Sequence, residues 1–272
     1  MPAPRTYRAE ALVLKHQPLG EADLLVTCYT RDDGKLRAVA KGARRPASKL
    51  VGHLEPLTRV SLSLARGRNL DLVTQAQVVE SFAAVKASLA AVAQGLYVAE
   101  LVDGFGVEAS GNPALYYLAL ETLAALPTRD GQPESDLPLR FFELHLLSVS
   151  GLLPELYQCV ECRQPLTPGD HRFSPNAGGA VCTDCTPPGA HLRPLSVRAL
   201  KVLRLLHRSS LAEMPSLRLD AGLAHELRGS LTAAVEYWLD QRIRSRGFLE
   251  HLQRASVESG PPLFATANAR PE

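Results

Sequence analysis

The sequence predicts an α+β multidomain fold, with an N-terminal five-stranded barrel followed by an α-helical domain that carries a four-cysteine zinc-finger insert. Three observations lead to this prediction. Short apolar runs alternate with turn residues up to residue 80, the apolar spacing becomes helical after Ser81, and two Cys-x-x-Cys pairs lie near one another in the chain. We predict these boundaries: the barrel in 1–80, the helical domain in 81–156 and 191–254, the zinc insert in 157–190, and a flexible C-terminal tail in 255–272.

Five apolar runs in the first 80 residues have the length and alternation of β-strands. Asp33-Gly34 lies between the second and third runs and is a strong hairpin signal. A long loop after the third run favours an OB-fold. An SH3-like barrel has a similar number of strands and stays an alternative. The predicted strands are Arg8–Lys15, Asp23–Thr30, Lys35–Lys41, Arg59–Arg66 and Asp71–Glu80.

The net charge of +2 conceals a basic N-terminal region. Residues 1–80 hold 13 Lys/Arg against 8 Asp/Glu, whereas residues 81–160 hold 3 against 9. A polyanion bound to such a basic surface gains free energy by releasing counterions. Tyr7 and Tyr29 are the only aromatic residues here, so contacts to the nucleic-acid backbone are favoured over base stacking. A solvated loop is the alternative. The candidate DNA contacts are Lys35, Arg37, Lys41, Arg44, Arg45, Lys49, Arg66 and Arg68.

The region after Ser81 has apolar residues at helical spacing, first in the stretch Leu89–Val102. Further helices are predicted at Pro113–Leu126, after Asn112, and at Asp136–Leu153, with Pro127–Glu134 as the loop between them. The acidic residues of 81–160 are scattered along these helices. We therefore interpret them as solvated helix faces rather than as a catalytic or metal site.

Four cysteines, Cys159, Cys162, Cys182 and Cys185, form the strongest motif. The spacing C-x2-C-x19-C-x2-C is typical of a zinc site, in which each pair supplies two ligands of a tetrahedron. Four sulfur ligands leave no open position for water, so the predicted Zn2+ is structural. The intervening segment Arg163–Val181 is rich in Pro and Gly and is predicted to lack a core of its own. Disulfides or free thiols are the alternative, and His171 or His191 could replace a ligand.

The fifth cysteine, Cys28, lies in an apolar strand and is predicted to be a small buried hydrophobe. The N-terminus has no apolar segment of the kind a secretory signal needs, which predicts a cytoplasmic protein in which thiols stay reduced. The most apolar window, Leu89–Val102, contains Gln94 and Glu100 and is too short to span a membrane. No Walker-type Gly-Lys-Ser/Thr motif supports nucleotide hydrolysis.

The segment after the insert is predicted to be helical again. Ser196 is a candidate N-cap for a helix over Val197–His207, and one longer helix is predicted from about residue 220 to 246. Tyr237 and Trp238 are expected to pack in the core. Four basic residues form one stripe on the first helix, which is either a solvated face or a second polyanion contact; they are Arg198, Lys201, Arg204 and Arg208.

Four segments resemble those of the bacterial RecO family of DNA repair proteins: ALVLK at 11–15, GEAD at 20–23, VAKGARR at 39–45 and GLLPELYQC at 151–159. The likeness covers residues 5–250, although the four cysteines are not universal in that family. The resemblance implies a non-enzymatic protein of the bacterial nucleoid that binds single- and double-stranded DNA and anneals complementary strands. It also implies work with RecR to place RecA on strands coated by single-strand-binding protein, with no membrane and no small-molecule substrate.

Two other function classes stay open at this point. A zinc-stabilised nuclease or hydrolase requires a second, carboxylate-rich metal site, and no clustered set of Asp, Glu and His in the sequence suggests one. An adaptor that binds protein through its barrel is the other alternative, because OB-folds bind proteins as well as nucleic acids.

Overall fold

Five strands close into a barrel at the N-terminal end of the chain. The structure is a computed structural model, and it describes residues 5–126, 136–189, 191–213, 217 and 219–258. The strands are β1 (Thr6–Leu19), β2 (Asp23–Thr30), β3 (Gly34–Ala40), β4 (Thr58–Ala65) and β5 (Asp71–Glu80), with a 3-10 helical turn at Val51–His53 between β3 and β4.

The strand order around the barrel is β1-β2-β3-β5-β4, and β1 pairs with both β2 and β4. All pairs are antiparallel except β3 with β5, where Ala38 lies opposite Asp71. This order is that of an OB-fold, so the OB prediction is confirmed over the SH3-like alternative. Val60, Leu62 and Leu64 alternate into the barrel core, as the sequence predicts, and Cys28 is buried among the apolar residues of the same core.

In the described part of the chain, seven helices form the rest of the main body. They are α1 (Ala83–Lys86), α2 (Leu89–Phe105), α3 (Pro113–Ala125), α4 (Leu137–Val149), α5 (Val197–Arg208), α6 (Ala221–Leu239) and α7 (Arg244–Glu258). The predicted N-caps are confirmed: the side chains of Asn112 and Ser196 accept hydrogen bonds from backbone N–H groups in the first turns of α3 and α5. None of the described helices is long and apolar enough to cross a lipid bilayer.

The predicted single helix over residues 220–246 is wrong. Asp240 adopts a left-handed backbone conformation, with φ of 51°, which ends α6 and separates it from α7. The prediction that Tyr237 and Trp238 pack in the core is wrong as well, since both lie exposed at this break. The helix α7 continues to Glu258, beyond the predicted start of the tail at residue 255, and residues 259–272 lie outside the described part of the chain.

Two acidic residues of the helical domain are buried, which corrects the interpretation of this region's carboxylates as solvated. Glu143 on α4 is fully buried, pairs with Arg140 at 2.8 Å and accepts a hydrogen bond from the Tyr97 hydroxyl of α2. Asp136 is ion-paired with Arg228 of α6. These contacts hold three helices in one arrangement, because a buried charge without its partner costs several kcal/mol, roughly 3–5. The helix predicted to reach Leu153 ends at Val149, and the loop predicted at Pro127–Glu134 lies outside the described residues.

A small three-stranded sheet follows the helices α1–α4. The four cysteines lie in the segments before its first strand and after its second strand. Its strands are β6 (His171–Ser174), β7 (Gly179–Val181) and β8 (Arg193–Leu195), in the order β7-β6-β8. We call residues 155–195 the cysteine lobe. Phe173 and Ala180 within it are fully buried and join the main hydrophobic core, which agrees with the prediction that this segment lacks a core of its own. Gly179 lets β7 lie close to the backbone at Glu155, because a Cβ on Gly179 would lie 2.4 Å from the Glu155 carbonyl oxygen.

The barrel and the helical domain share an interface at the β2–β3 turn. The Lys35 N–H donates to the Val107 carbonyl at 2.9 Å, and Gly34 has a positive φ with no room for a Cβ beside the Val107 and Ser110 carbonyls. Tyr29 of β2 is buried in the core of the helical domain rather than in that of the barrel. The two parts therefore pack directly against each other through buried apolar and backbone contacts.

Candidate metal centre and nucleic-acid interface

The two Cys-x-x-Cys pairs meet at one end of the cysteine lobe. The sulfur atoms of the four residues all lie within 4.8 Å of one another, and those of Cys162 and Cys182 are 3.9 Å apart. In a tetrahedral zinc site with Zn–S bonds of about 2.3 Å, neighbouring sulfur atoms are about 3.8 Å apart. The four cysteines therefore lie close enough to hold one metal ion, and none of them is in a disulfide.

The backbone of the first cysteine pair turns tightly around Cys159. The Cys159 N–H donates to the Gln164 carbonyl at 2.9 Å, and the Arg163 N–H donates to the Cys159 carbonyl at 2.9 Å. Arg163 closes this turn with a φ of 62°. The N–H of Cys182, from the second pair, points to the Cys159 sulfur at 3.4 Å. Such N–H donors stabilise a thiolate, which is the form of cysteine that binds metal.

The electrostatics of the four sulfur atoms fit a cation at their centre. Burial raises the pKa of Cys159, but backbone N–H groups of Cys182, Cys162 and Glu161 outweigh it and lower this pKa to about 6. Hydrogen bonds to the Cys182 and Cys162 side chains raise the pKa of Cys185 to about 12. Without a cation a thiolate is thus favoured at Cys159 and disfavoured at Cys185, whereas a divalent ion stabilises thiolates at both.

Arg172 of β6 supports the second cysteine pair from behind. Its guanidinium donates to the carbonyls of Cys182 at 2.9 Å and Thr183 at 2.8 Å, and also to that of Cys185. One side chain thus holds three carbonyls of the loop that carries two ligands. Sequence reasoning did not select Arg172, because nothing in its spacing from the cysteines indicates that it points toward them.

The two flanking histidines are not part of the sulfur cluster. His171 is buried with its Nε2 2.8 Å from the Thr167 carbonyl, and His191 is exposed. Among the described residues, the four cysteines are the one group of three or more His, Cys, Asp or Glu residues placed to share a metal ion.

Seven of the eight candidate DNA contacts are exposed, and we call them the basic surface: Arg37, Lys41, Arg44, Arg45, Lys49, Arg66 and Arg68. Most lie in the loop that follows β3. This loop is folded against the β1–β2 turn, because the Arg44 N–H donates to the Ala22 carbonyl at 2.9 Å and the Gly42 N–H donates to Asp23 at 2.7 Å. The Arg44 guanidinium also donates to the Gly20 and Glu21 carbonyls.

Arg66 and Arg68 lie not in the loop that follows β3 but in the β4–β5 loop. Because Ala38 pairs with Asp71, Arg37 lies beside the end of that loop. The basic surface thus follows the β1–β2 turn, β3 and the β4–β5 loop. These are the regions that OB-folds use to bind oligonucleotides.

Lys35 is placed differently from the other seven candidates. Its ammonium group is half-buried at the interface with the helical domain and lies 3.3 Å from Asp103 of α2. That carboxylate also pairs with Lys15. Lys35 therefore lies at the contact between the two parts of the chain, and its role as a phosphate contact stays a prediction.

The two aromatic residues of the barrel are both occupied. Tyr29 is 1% exposed, and the Tyr7 hydroxyl donates to Asp71 while the Arg66 guanidinium lies 4.9 Å from its ring centroid. Neither ring is free to stack on a base. This agrees with the expectation that the barrel offers contacts to phosphates.

Most of the basic residues in the stripe on α5 contact other residues of the protein. Arg198 pairs with Asp220 at 2.7 Å, and the guanidinium groups of Arg204 and Arg208 lie over the Tyr157 ring at 4.9 and 5.2 Å from its centroid. Arg204 also donates to the Leu156 carbonyl at 2.8 Å. These contacts attach the cysteine lobe to α5. Of the four residues, only Lys201 is exposed and without a hydrogen bond or ion pair to the described residues.

The fold and the site define a class of protein, in which an OB-fold barrel with a basic surface is joined to a helical domain with four cysteines that lie close enough to hold one metal ion. Comparison with known proteins specifies the family. The model described as Recombination protein O N terminal matches residues 3–82, and the one described as Recombination protein O C terminal matches residues 87–247. The chain belongs to the RecO family of DNA repair proteins.

Three relatives illustrate the extent of the similarity, and each is named DNA repair protein RecO. The protein of Desulforudis audaxviator is 39% identical over 91% of this chain and 98% of its own length. That of Roseiflexus sp. is 37% identical over 98% and 93%, respectively, and that of Dehalococcoides mccartyi strain 195 is 35% identical over 94% and 100%. The similarity includes both the barrel and the helical domain, and it supports a role in DNA repair and recombination.

Proposed function

We propose that this protein is a non-enzymatic recombination mediator that binds single- and double-stranded DNA and anneals complementary strands. With RecR it helps RecA load onto DNA coated by single-strand-binding protein, in the bacterial cytoplasm and at the nucleoid. The observation that carries the proposal is the basic surface of the barrel. Its cations are exposed, lie in the regions where OB-folds bind oligonucleotides, and belong to a chain of the RecO family.

The chemistry of this surface suits annealing. Two complementary strands repel each other through their phosphates, and Lys and Arg side chains reduce that repulsion when they neutralise phosphates. The bases must stay free to pair, and the barrel has no accessible aromatic ring that would hold them. A surface that binds backbones and leaves base edges open can therefore bring two strands together without chemical catalysis.

The metal centre has a structural role in this proposal. Cys159, Cys162, Cys182 and Cys185 would hold one Zn2+, which fixes the two cysteine pairs relative to each other. Four protein ligands complete a tetrahedral shell and leave no position for a substrate. The cysteine lobe in turn packs on α5 through Tyr157, Arg204 and Arg208. The zinc thereby stabilises the half of the helical domain that follows it.

A titration of labelled single-stranded DNA at several salt concentrations tests the proposal. Each phosphate contact adds about −0.7 to the slope of log affinity against log salt for single strands. Reversal of three charges in Lys41→Glu/Arg45→Glu/Lys49→Glu should therefore reduce the magnitude of that slope by about 2. Arg44 is left unchanged, because its contacts to Gly20 and Glu21 hold the loop in place.

The matched control is a single charge reversal in another region. Lys201→Glu, on α5, changes the charge by the same amount as Lys41→Glu, and only the latter should weaken binding. An unchanged affinity and salt slope in the triple variant would contradict the proposal. Cleavage of labelled DNA with added Mg2+ or Mn2+ is the second measurement, and turnover of the strand would favour a nuclease instead.

A further inference from the structure

An exposed pair of aromatic rings lies where α6 ends. Tyr237 is 48% exposed and Trp238 is 45% exposed, and their ring centroids are 5.2 Å apart at an interplanar angle of 76°. Large aromatic side chains are usually buried or bound to a partner, because exposing their apolar surface to water is unfavourable. This pair is therefore a candidate binding surface.

Two arginines follow the aromatic pair in the chain. Arg242 and Arg244 are exposed, and the side chain of neither forms an ion pair with a residue that the structure describes. By contrast, the Arg246 guanidinium forms ion pairs with Glu236 and Glu250. Asp240 is the one acidic residue of the segment 237–244, which we call the aromatic corner. The corner thus combines apolar rings with an excess of positive charge.

The backbone of the aromatic corner is held firmly from the inside. Leu239 packs against Gly104 of α2 so closely that a Cβ on that glycine would lie 2.5 Å from the leucine side chain. Ile243 is buried, and the N–H groups of Arg244 and Ser245 both donate to Glu100 at 2.8 Å. The exposed side chains of the corner therefore project from a fixed support. A ligand can bind there without first ordering a loop.

Unpaired nucleic-acid bases are the ligand that this combination fits. Aromatic rings stack on bases of any sequence, and neighbouring arginines contact the phosphates between them. The barrel supplies phosphate contacts but no free ring, since Tyr7 and Tyr29 are both engaged. The aromatic corner provides exposed rings for base stacking, which the basic surface lacks.

We propose that the aromatic corner is a second contact for single-stranded DNA, in which unpaired bases stack on Trp238 and Tyr237 while Arg242 and Arg244 contact phosphates. This inference rests on the proposed DNA-binding function and specifies how single strands are preferred. Paired bases are stacked within a duplex and cannot reach the rings. The corner therefore binds a strand before annealing and releases it once its bases have paired.

Trp238 is the single tryptophan of the chain and reports on its own environment. The full chain is titrated with a long, fluorescently labelled oligothymidylate, and two signals are recorded: DNA anisotropy, which measures binding anywhere on the protein, and tryptophan fluorescence. Stacking should quench the tryptophan over the concentration range in which the anisotropy rises. A duplex of the same length should raise the anisotropy without the same quenching.

Substitutions test the energetic contribution of the ring. Trp238→Ala should weaken binding of oligothymidylate about tenfold while binding of the duplex is unchanged, and Trp238→Phe should keep most of the affinity. Tyr117→Ala is the matched control, because Tyr117 of α3 is an aromatic residue of similar exposure, 44%, outside the corner. It should leave both affinities unchanged.

The possible results separate this inference from the proposed function. A rise in anisotropy without quenching, together with unchanged affinity of Trp238→Ala, would overturn the inference and leave DNA binding by the barrel intact. In that case the corner is a surface for a protein partner. If the anisotropy does not rise at all, the proposed function fails, and this inference fails with it.

Discussion

The barrel and the cysteine lobe are both small β structures, but they are stabilised in different ways. The barrel has strands of 7 to 14 residues that close on themselves and surround a core of their own. The cysteine lobe has strands of 3 or 4 residues, and its buried Phe173 and Ala180 belong to the core of the helical domain. The barrel thus has a hydrophobic core of its own, whereas the lobe packs its buried residues into the core of a neighbour and carries four cysteines that lie close enough to hold one metal ion.

This difference shows how two modules of one chain divide stability and function. The barrel can present a row of cations, because its hydrophobic core is built from other residues than those of the basic surface. At the cysteine lobe, by contrast, Arg204 and Arg208 of α5 lie against Tyr157 of the lobe, and Arg172 holds the loop of the second cysteine pair. Exposed basic side chains of the barrel are therefore accessible to a partner, whereas those at the cysteine lobe contact residues of the lobe itself.

Removal of the metal should have the largest effect and should separate the two modules. Structural zinc contributes about 10–16 kcal/mol of apparent binding free energy in small zinc-binding peptides. We expect a chelator, or Cys162→Ser/Cys185→Ser, to abolish zinc binding and to expose the amides of residues 155–195 to hydrogen exchange. The amides of β1–β5 should stay protected.

Cys28→Ala is the control for that experiment, because this cysteine is buried in the barrel and lies outside the sulfur cluster. It should leave one zinc ion bound per chain. Equal protection of residues 155–195 with and without metal would show that the lobe is stable on its own contacts.

A cavity in the barrel should have the next largest effect, in the opposite region. Leu62 on β4 is 1% exposed, so Leu62→Ala should cost about 2–5 kcal/mol of unfolding free energy. Urea denaturation measures this loss, and the zinc content of the folded protein should not change. Val79→Ala on β5 is the control, because Val79 is 49% exposed and its truncation should cost less than about 0.5 kcal/mol. Similar losses for both variants would contradict a barrel stabilised by its own core.

Loss of the Arg172 guanidinium should have an intermediate effect that is confined to the cysteine lobe. Arg172→Ala removes the donor to three carbonyls of the second cysteine pair, and residues that position metal ligands typically contribute 10–100-fold to affinity. We therefore expect zinc affinity to fall by about 10–100-fold in competition with a chromophoric chelator. Arg172→Lys should recover only part of the loss, because one nitrogen, Nη2, contacts all three carbonyls and the shorter lysine side chain does not bring its ammonium group to that position.

The control for Arg172 is a basic residue in the same small sheet. Arg193 on β8 is exposed, and Arg193→Ala should leave zinc affinity unchanged. An equal decrease in both variants would mean that positive charge in general, and not the contact to the carbonyls, supports the metal centre.

Sequence reasoning was most successful where the pattern itself determines the structure. Short apolar runs between turn residues identified all five barrel strands, and the predicted bounds of β2 and β5 agree with the structure. Asn112 and Ser196 were recognised as N-caps because their side chains act on the next turn of the same chain. The cysteine quartet was found because its ligands come in two closely spaced pairs.

The errors concern contacts between residues far apart in the chain. Glu143 was expected in solvent, although its partners Tyr97 and Thr232 lie on other helices. Lys35 was grouped with the exposed cations, although Asp103 of α2 pairs with it. Trp238 was expected in the core, although it lies on an exposed face at the end of α6. In each case the deciding neighbour is set by tertiary packing and not by local spacing.

The smallest expected effect concerns one hydrogen bond between β1 and the first residue of β5. The Tyr7 hydroxyl of β1 donates to Asp71, whose other carboxylate oxygen accepts from the Gly67 N–H at 3.0 Å. Tyr7→Phe removes the hydroxyl but keeps the ring beneath Arg66, and Asp71 keeps its bond to the β4–β5 loop. We expect a loss of about 1 kcal/mol, seen as a lower urea midpoint at an unchanged slope.

Tyr237→Phe is the matched control, because it removes a hydroxyl from an exposed tyrosine outside the barrel. Its midpoint should shift by less than about 0.5 kcal/mol. If Tyr7→Phe shifts the midpoint no more than this control, the hydrogen bond adds nothing to the barrel. If its loss instead approaches that of Leu62→Ala, the barrel depends on a single polar contact rather than on its own core, and the contrast between the two modules fails.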